Sequence, residues 1–135
     1  IKEACGKLDQ IAETASLISG KTALYSGDDG LNYDILELGS YGLISVASNV
    51  MPKEVGDVAR LYYAGDKAGA KALQHKLLPL MNAMFSEVNP IPVKKACELL
   101  GLCRGFVRAP LTELEKPHEE ELKKVLSSYG LTIRA

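Results

Sequence analysis

Three places in the sequence have the pattern of strand ends and carry residues that could do chemistry. The first is at Lys2 and Glu3, the second is SGDD at 26–29, and the third is SVASN at 45–49. In α/β proteins the carboxyl ends of parallel strands meet at one edge, where functional groups gather. A lysine buried at such an end loses its proton more easily and can form a Schiff base with a ketone. Spacing alone still favours Lys2 as an ordinary surface lysine.

The residues around these ends have structural interpretations as well as chemical ones. Gly27 lets backbone approach a ligand closely, although glycine beside a strand is equally expected in a turn. Asp28 and Asp29 suit metal binding or proton transfer, but their position favours a helix N-cap. Glu3 is predicted to pair with a cation or to cap the following helix, and Asn49 to bond loop backbone.

Helical and strand patterns alternate over the first 64 residues. An apolar face recurs at helical spacing in residues 7–19, and Gly20 is a suitable stop. The order continues with a strand at 22–26, a helix at 31–38, a strand at 42–48 and a helix beginning at Pro52. Short apolar strands that alternate with helices predict parallel strands buried on both faces, and therefore an α/β fold.

The pattern is entirely helical after residue 64. Helices are predicted at 66–86, 90–101 and 116–130, with no strand between them. Pro79 is expected to kink or interrupt the first of these, because proline lacks an N–H and clashes with the preceding turn. We therefore predict two parts, one with strands at 1–65 and one of helices at 66–135.

Composition excludes several classes of partner. The 135 residues are 47% apolar and 24% charged, and the net charge of -1 favours neither nucleic acid nor an anionic membrane. No apolar run approaches the roughly 20 residues that span a bilayer. Cys5, Cys97 and Cys103 are odd in number and widely spaced, which fits neither a disulfide framework nor a zinc site. We predict packing or surface thiols and a reducing, cytoplasmic setting.

Four blocks of the sequence resemble a known family. IKEACG, LYSGDD, GLISVASNVMP and NPIPVKKACELLG occur in the order and at the separations of the dihydrodipicolinate synthases, which are pyruvate-dependent class I aldolases. APL at 109–111 fits the family's closing loop. The resemblance covers essentially the whole chain but only the C-terminal half of the family pattern. It implies strands 6 to 8 of a (β/α)8 TIM barrel followed by a C-terminal helical extension, since a whole barrel needs roughly 250 residues.

The resemblance also implies a reaction and its residues. Lys2 would form a Schiff base with pyruvate, and the resulting enamine would attack L-aspartate 4-semialdehyde in lysine and diaminopimelate biosynthesis. Gly27 would lie beside the substrate, and the backbone carbonyl of Ile44 would face the lysine amine. Leu8 and Leu38 would lie near a dimer–dimer contact of a homotetramer. Neither a metal nor an organic cofactor is implied.

The same resemblance predicts that the chain alone is inactive. The family's proton relay, the arginine that receives the semialdehyde and the residues that hold the pyruvate carboxylate correspond to no position in this sequence. The missing half is a candidate partner as a separate chain. Two alternatives remain: a related sialic-acid or sugar-acid lyase, against which SGDD argues, and a non-catalytic helical interaction module at 66–135.

Overall fold

The computed structural model describes residues 1–134, and the chain forms two compact units that divide between Leu77 and Leu78. No helix among these residues is long and apolar enough to cross a membrane. The elements, in chain order, are β1 (Lys2–Glu3), α1 (Leu8–Ile18), β2 (Tyr25–Ser26), α2 (Asn32–Glu37), a 3₁₀ turn (Ala47–Asn49), α3 (Pro52–Tyr63), α4 (Lys67–Ala83), α5 (Ile91–Leu99) and α6 (Lys116–Ser128).

The strands of the first unit are parallel, as predicted, but the predicted burial on both faces is wrong, since Lys2 and Tyr25 are exposed. β1 and β2 pair with Lys2 opposite Tyr25 and Glu3 opposite Ser26. A single parallel bridge joins Ser26 to Leu43 on the other side of β2. β2 therefore lies between β1 and the segment around Leu43, and the three predicted strand ends lie side by side.

The strands are shorter than predicted. The pattern at 22–26 forms only Tyr25–Ser26, and the strand predicted at 42–48 is wrong beyond its single bridge. Among the described residues, only β2 pairs with the segment around Leu43. A strand needs backbone hydrogen bonds to its neighbours, and this segment has a neighbour on one side alone. Further on, the backbone turns into the 3₁₀ helix at Ala47–Asn49, which replaces the predicted end of the strand.

The helix α1 packs its apolar face inward, as its periodicity predicts, against α2 and the residue before β2. Ile11, Leu24 and Ile35 form a buried cluster in which α1, the segment before β2 and α2 meet. Gly20 has φ +71°, a left-handed conformation that glycine adopts without steric cost, and the chain turns there after α1. This cluster holds the residue that leads into β2 and so supports the strand that Gly27 follows.

The remaining helices follow the predicted boundaries to within a few residues. α3 begins at Pro52, whose missing N–H costs nothing in the first turn. α4 is continuous through Pro79, so an interruption of the helix there is wrong, and a kink at this proline stays a prediction. In the second unit α5 and α6 pack together, with Leu99 and Leu126 among the buried side chains.

The division into compact units differs from the sequence boundary at 65 and 66. The units divide within α4, because its first turns belong with the strands and its last turns with α5 and α6. The sequence boundary at 65 and 66 divides a partial barrel from a helical extension, which is a different criterion from compactness. That boundary stays a prediction.

Candidate active site at the strand ends

The pairing of β1 with β2 fixes the backbone position of Lys2. The Tyr25 N–H donates to the Ile1 carbonyl at 2.8 Å, and the Gly27 N–H donates to the Glu3 carbonyl at 2.7 Å. Lys2 is therefore held between two ladder bonds, one on each side. Its side chain is exposed in the 135-residue chain.

Gly27 provides the surface on which the Lys2 side chain lies. A Cβ built on Gly27 would be 2.6 Å from Lys2 Cε and 2.9 Å from Lys2 Cγ. It would also be 2.8 Å from the Cβ of Ala4. Real Cβ atoms do not approach carbon this closely, so only glycine accommodates the lysine stem in this conformation. The structure thus brings together Lys2 and Gly27, two of the three site residues that the family resemblance implies.

Ile44 lies on the other side of β2 from Lys2. Its backbone N–H donates to the Ser26 carbonyl at 2.8 Å, and its side chain is 49% exposed. Ser26 in turn donates its N–H to the Gly42 carbonyl at 2.9 Å. These two bonds hold Ile44 at the same strand edge as Gly27. Whether the Ile44 carbonyl faces the Lys2 amine stays a prediction.

Glu3 and Asn49 both bind local backbone. A Glu3 carboxylate oxygen accepts from the Cys5 N–H at 2.8 Å, and this bond is the main reason that the pKa of Glu3 is lowered. The Glu3 carboxylate thus binds a backbone amide, and the prediction that it pairs with a cation is wrong. The alternative prediction that it caps α1 is also wrong, since α1 has no side-chain cap. Asn49 donates from Nδ2 to the Val46 carbonyl at 2.9 Å, as predicted.

Asp29 ties the second strand end to the third. The side chain is fully buried, and its carboxylate accepts from the Ser45 hydroxyl, from the Val46 N–H at 2.8 Å and from the Ala47 N–H at 3.4 Å. Its oxygens thus satisfy the amides at the start of the 3₁₀ turn, where a carboxylate is favoured for the same reasons as at a helix N-terminus.

The predicted N-cap role of the two aspartates at α2 is wrong. The residue before α2 is Leu31, and no side chain caps that helix. Asp28 instead accepts from the Gly30 N–H at 2.9 Å and closes a local turn. Sequence spacing favoured the nearer helix, whereas the buried carboxylate of Asp29 binds amides 17 and 18 residues further along the chain.

Gln74 on α4 supports the same loop and was not singled out in the sequence. Its Nε2 donates to the carbonyls of Asp29 and Gly30 at 2.9 and 3.0 Å. The side chain is only 4% exposed, so these bonds are shielded from water. Nothing in the local sequence could have signalled a partner 44 and 45 residues away. The loop after β2 is thus fixed from two directions, while the Lys2 side of the strands is open.

A cavity of about 440 Å³ lies at the opposite ends of the strands. Its lining includes Ile18, Leu24, Leu38 and Tyr41, and excludes Lys2, Gly27 and Ile44. The cavity is therefore separate from the candidate site. Leu38 also packs against the cluster around Ile11, and Leu8 is 41% exposed, so the predicted oligomer contact at these residues stays a prediction.

Comparison with known proteins gives one consistent result. The model of the Dihydrodipicolinate synthetase family matches residues 1–129. The 4-hydroxy-tetrahydrodipicolinate synthase of Endomicrobium trichonymphae is 43% identical over 97% of this chain and 45% of its own length. The protein of the same name from Methanoculleus marisnigri is 45% identical over 96% of this chain and, again, 45% of its own length.

Solved structures give the same coverage. The dihydrodipicolinate synthase of Aquifex aeolicus superposes with a TM-score of 0.95 at 40% identity, over 99% of this chain and 46% of that one. The dihydrodipicolinate synthase of Thermotoga maritima superposes with a TM-score of 0.93 at 38% identity, over 97% of this chain and 45% of that one. The chain therefore spans less than half the length of these relatives and has a partial α/β fold.

Proposed function

The chain belongs to the dihydrodipicolinate synthetase family, and from this we propose that it is the carboxyl-terminal part of an enzyme that condenses pyruvate with L-aspartate 4-semialdehyde. The observation that carries the proposal is the packing of the Lys2 stem on the bare backbone of Gly27 at adjoining strand ends. The names of the relatives support the reaction, and the partial coverage supports the status of a part.

Lys2 is the nucleophile in this proposal. Its amine adds to the ketone carbon of pyruvate, and loss of water gives an imine that links lysine to substrate. Loss of a methyl proton from the imine gives an enamine, whose carbon attacks the aldehyde of the second substrate. Hydrolysis then releases the product and restores the amine. The imine itself acts as the electron sink, so the proposal includes neither a metal nor an organic cofactor.

Gly27 and Ile44 have positioning roles in this proposal. The absence of a Cβ at Gly27 leaves room for the lysine stem to lie against the strand end, which supports a role for Gly27 in positioning the amine. Ile44 is held at the same edge by its bond to Ser26, which supports a role for its carbonyl near the amine. Both roles depend on the register of β1 and β2, which the backbone bonds determine.

A complete barrel is required for activity in this proposal. A Schiff-base lysine needs a dry pocket and proton-transfer groups, and Lys2 is exposed here. The relatives have more than twice this length, and the matched part supports assignment to strands 6 to 8 and the helical extension. The preceding strands would come from a covalently joined segment or from a separate chain. We place the complete enzyme in the cytoplasm as a homo-oligomer.

A chimera tests the proposal without assuming a source for the missing strands. The segment that precedes the matched region in the Aquifex aeolicus relative, which superposes at a TM-score of 0.95, is joined to Ile1; this protein is called the completed barrel below. We expect it to consume pyruvate and L-aspartate 4-semialdehyde. Substitution Lys2→Ala should lower that rate by about a thousandfold or more. The matched control Lys7→Ala, at an exposed lysine in the same loop, should leave the rate unchanged.

The same chimera separates the synthase from the lyase alternative. N-acetylneuraminate is supplied in place of the two substrates, and pyruvate release is measured. We expect no cleavage of the sugar acid. Efficient cleavage, or synthase activity that survives Lys2→Ala, would contradict the proposal.

A further inference from the structure

The carboxyl end of α5 folds back on its own last turn. The Gly101 N–H donates to the Glu98 carbonyl, and the Leu102 N–H donates to the Cys97 carbonyl, both at 2.8 Å. Gly101 has φ +71°, so these two bonds form a Schellman motif. Such a motif ends the helix, and the bond from Leu102 holds the chain against the last turn of α5 just before the next residue.

That residue is Cys103, and it lies beside Cys97. The preceding residue, Leu102, is bonded to the Cys97 backbone, and the Cys103 thiol is near enough to contribute, after burial, to the raised pKa of Cys97. The following segment is held to the same helix, since the Gly105 N–H donates to a Glu98 carboxylate oxygen at 3.1 Å. The approach there is close: a Cβ on Gly105 would lie 2.6 Å from the other Glu98 oxygen. Bonds on both sides of Cys103 thus hold its backbone against the end of α5, the helix that carries Cys97.

We propose that Cys97 and Cys103 form a reversible intramolecular disulfide when the protein meets a disulfide oxidant such as oxidised glutathione. Both thiols are free in the structure, with Cys103 exposed and Cys97 partly buried. This adds a thiol modification site to the second unit and is independent of the function proposed for Lys2.

The reaction proceeds by two exchanges. The Cys103 thiolate attacks one sulfur of the oxidant and releases the first glutathione thiolate. The Cys97 thiolate then attacks the Cys103 sulfur of the mixed disulfide and releases the second. The two cysteines lose two electrons and two protons, and the oxidant becomes two molecules of reduced glutathione.

The greater exposure of Cys103 orders the two steps, and burial, which raises the pKa of the Cys97 thiol, acts in the same direction. The thiolate is the attacking species, so a raised pKa makes Cys97 the slower nucleophile near neutral pH. The exposed Cys103 therefore reacts first with the oxidant. The second exchange is intramolecular and should accelerate as the pH rises.

The crosslink would fix the turn that leads into a cavity of the second unit. This cavity, of about 590 Å³, is lined by Lys95 and Glu98 of α5 and by the segment from Arg104 to Val107. The disulfide closes a short loop between Cys97 and Cys103, which joins that segment covalently to α5. Oxidation is thus expected to restrain one wall of the cavity.

One tryptic peptide reports the modification. The 135-residue chain is equilibrated with reduced and oxidised glutathione at several ratios, quenched with an alkylating reagent and digested. Cleavage after Lys95 and Arg104 releases residues 96–104, which contain both cysteines. We expect this peptide to lose two hydrogens and to escape alkylation. The exposed Cys5, in the other unit, is the internal reference for ordinary glutathione adducts.

The same titration in urea removes the folded geometry and completes the test. We expect the native chain to be half oxidised at a glutathione ratio about tenfold more reducing than the unfolded chain. In Cys103→Ser the mixed disulfide at Cys97 should form slowly and stay unresolved. Equal ratios in native buffer and urea, or glutathione adducts on both cysteines in place of the internal disulfide, would overturn the proposal.

Discussion

Gly27 leaves room for the Lys2 side chain, and a methyl group in its place would remove that room. In Gly27→Ala the new Cβ would meet Lys2 Cε and Cγ at 2.6 and 2.9 Å, so the lysine stem or the strand has to move. A displacement of about 1 Å at a reacting group costs on the order of a hundredfold in rate. We expect imine formation with pyruvate in the completed barrel to slow by about that factor.

The control for this substitution is Gly30→Ala in the same loop. The Cβ of Gly30 would meet only the Asp28 carboxylate, at 3.3 Å, and it has no contact with Lys2. Gly30→Ala should therefore leave the rate of imine formation near that of the unchanged protein. A Gly27→Ala protein with unchanged circular dichroism and an unchanged imine rate would contradict the positioning role.

Asp29 holds the loops behind the lysine together. Asp29→Asn keeps the shape but removes the charge to which the Val46 and Ala47 N–H groups donate, and its amide nitrogen has to replace one of the two accepting oxygens. Hydrogen bonds to a charged group are worth about 1.5 to 3 kcal/mol each, so we expect the free energy of unfolding to fall by about 2 kcal/mol or more. Urea unfolding followed by circular dichroism measures it.

Asp28→Asn is the matched control, because Asp28 makes a local bond to the Gly30 N–H. A loss of about 1 kcal/mol or less is expected there. Equal losses in the two variants would contradict the assignment of Asp29 as the link between the loops. The sequence predicted that these aspartates matter for backbone capping, but the partner of Asp29 depends on tertiary contacts that local spacing does not encode.

The start of α6 depends on one carboxylate. Glu87 accepts from the Glu115 N–H at 2.9 Å and contacts His118 Nδ1 at 2.6 Å. The pKa of Glu87 is lowered, chiefly by His118 and then by the Glu115 amide. Because the folded pKa lies below the unfolded value, this stabilisation is present above the ordinary Glu pKa and is lost as the pH falls through the folded pKa.

Substitution Glu87→Gln should therefore destabilise the protein in a pH-dependent way. We expect the free energy of unfolding to fall by about 1 kcal/mol at neutral pH, and the difference to shrink as the pH falls below the ordinary Glu pKa and then through the lowered pKa of Glu87. Glu120→Gln, at a 66% exposed carboxylate on α6, is the control and should change it little. A Glu87→Gln effect that is constant with pH would contradict this account of the contact.

Helices were predictable from the sequence, whereas strand lengths were not. α1, α3, α5 and α6 follow apolar periodicity with proline or glycine at their ends, and these are local signals. Strand length depends on which neighbours complete the ladder, and the segment around Leu43 has one such neighbour among the described residues. Local signals can also mislead for helices. α4 continues through Pro79 although proline disfavours helix interiors, because tertiary packing can override local propensity.

The exposed apolar side chains at the strands agree with the partial coverage of the relatives. Ile1, Tyr25, Tyr41 and Ile44 are between 37% and 67% exposed, which is unusual for residues in or beside parallel strands. The close approach of Lys2 to Gly27 was not predictable from spacing, which favoured a surface lysine. The family resemblance predicted that Lys2 and Gly27 belong to one site, and the β1–β2 register explains why the two residues lie close together.

The 135-residue chain alone should have negligible synthase activity, because Lys2 is exposed to water. Aspartate semialdehyde and pyruvate are supplied to the isolated chain and to the completed barrel at equal concentration. Activity is expected in the second only. Comparable turnover by the isolated chain would show that the strands described here suffice.

Borohydride trapping of Lys2 tests the central claim most directly. The completed barrel is incubated with pyruvate and reduced, and the reduced imine should block tryptic cleavage after Lys2 and leave a modified peptide that ends at Lys7. The isolated chain, treated identically, should be cleaved normally at Lys2. Efficient labelling of Lys2 in the isolated chain, or a completed barrel labelled at another lysine, would contradict the claim.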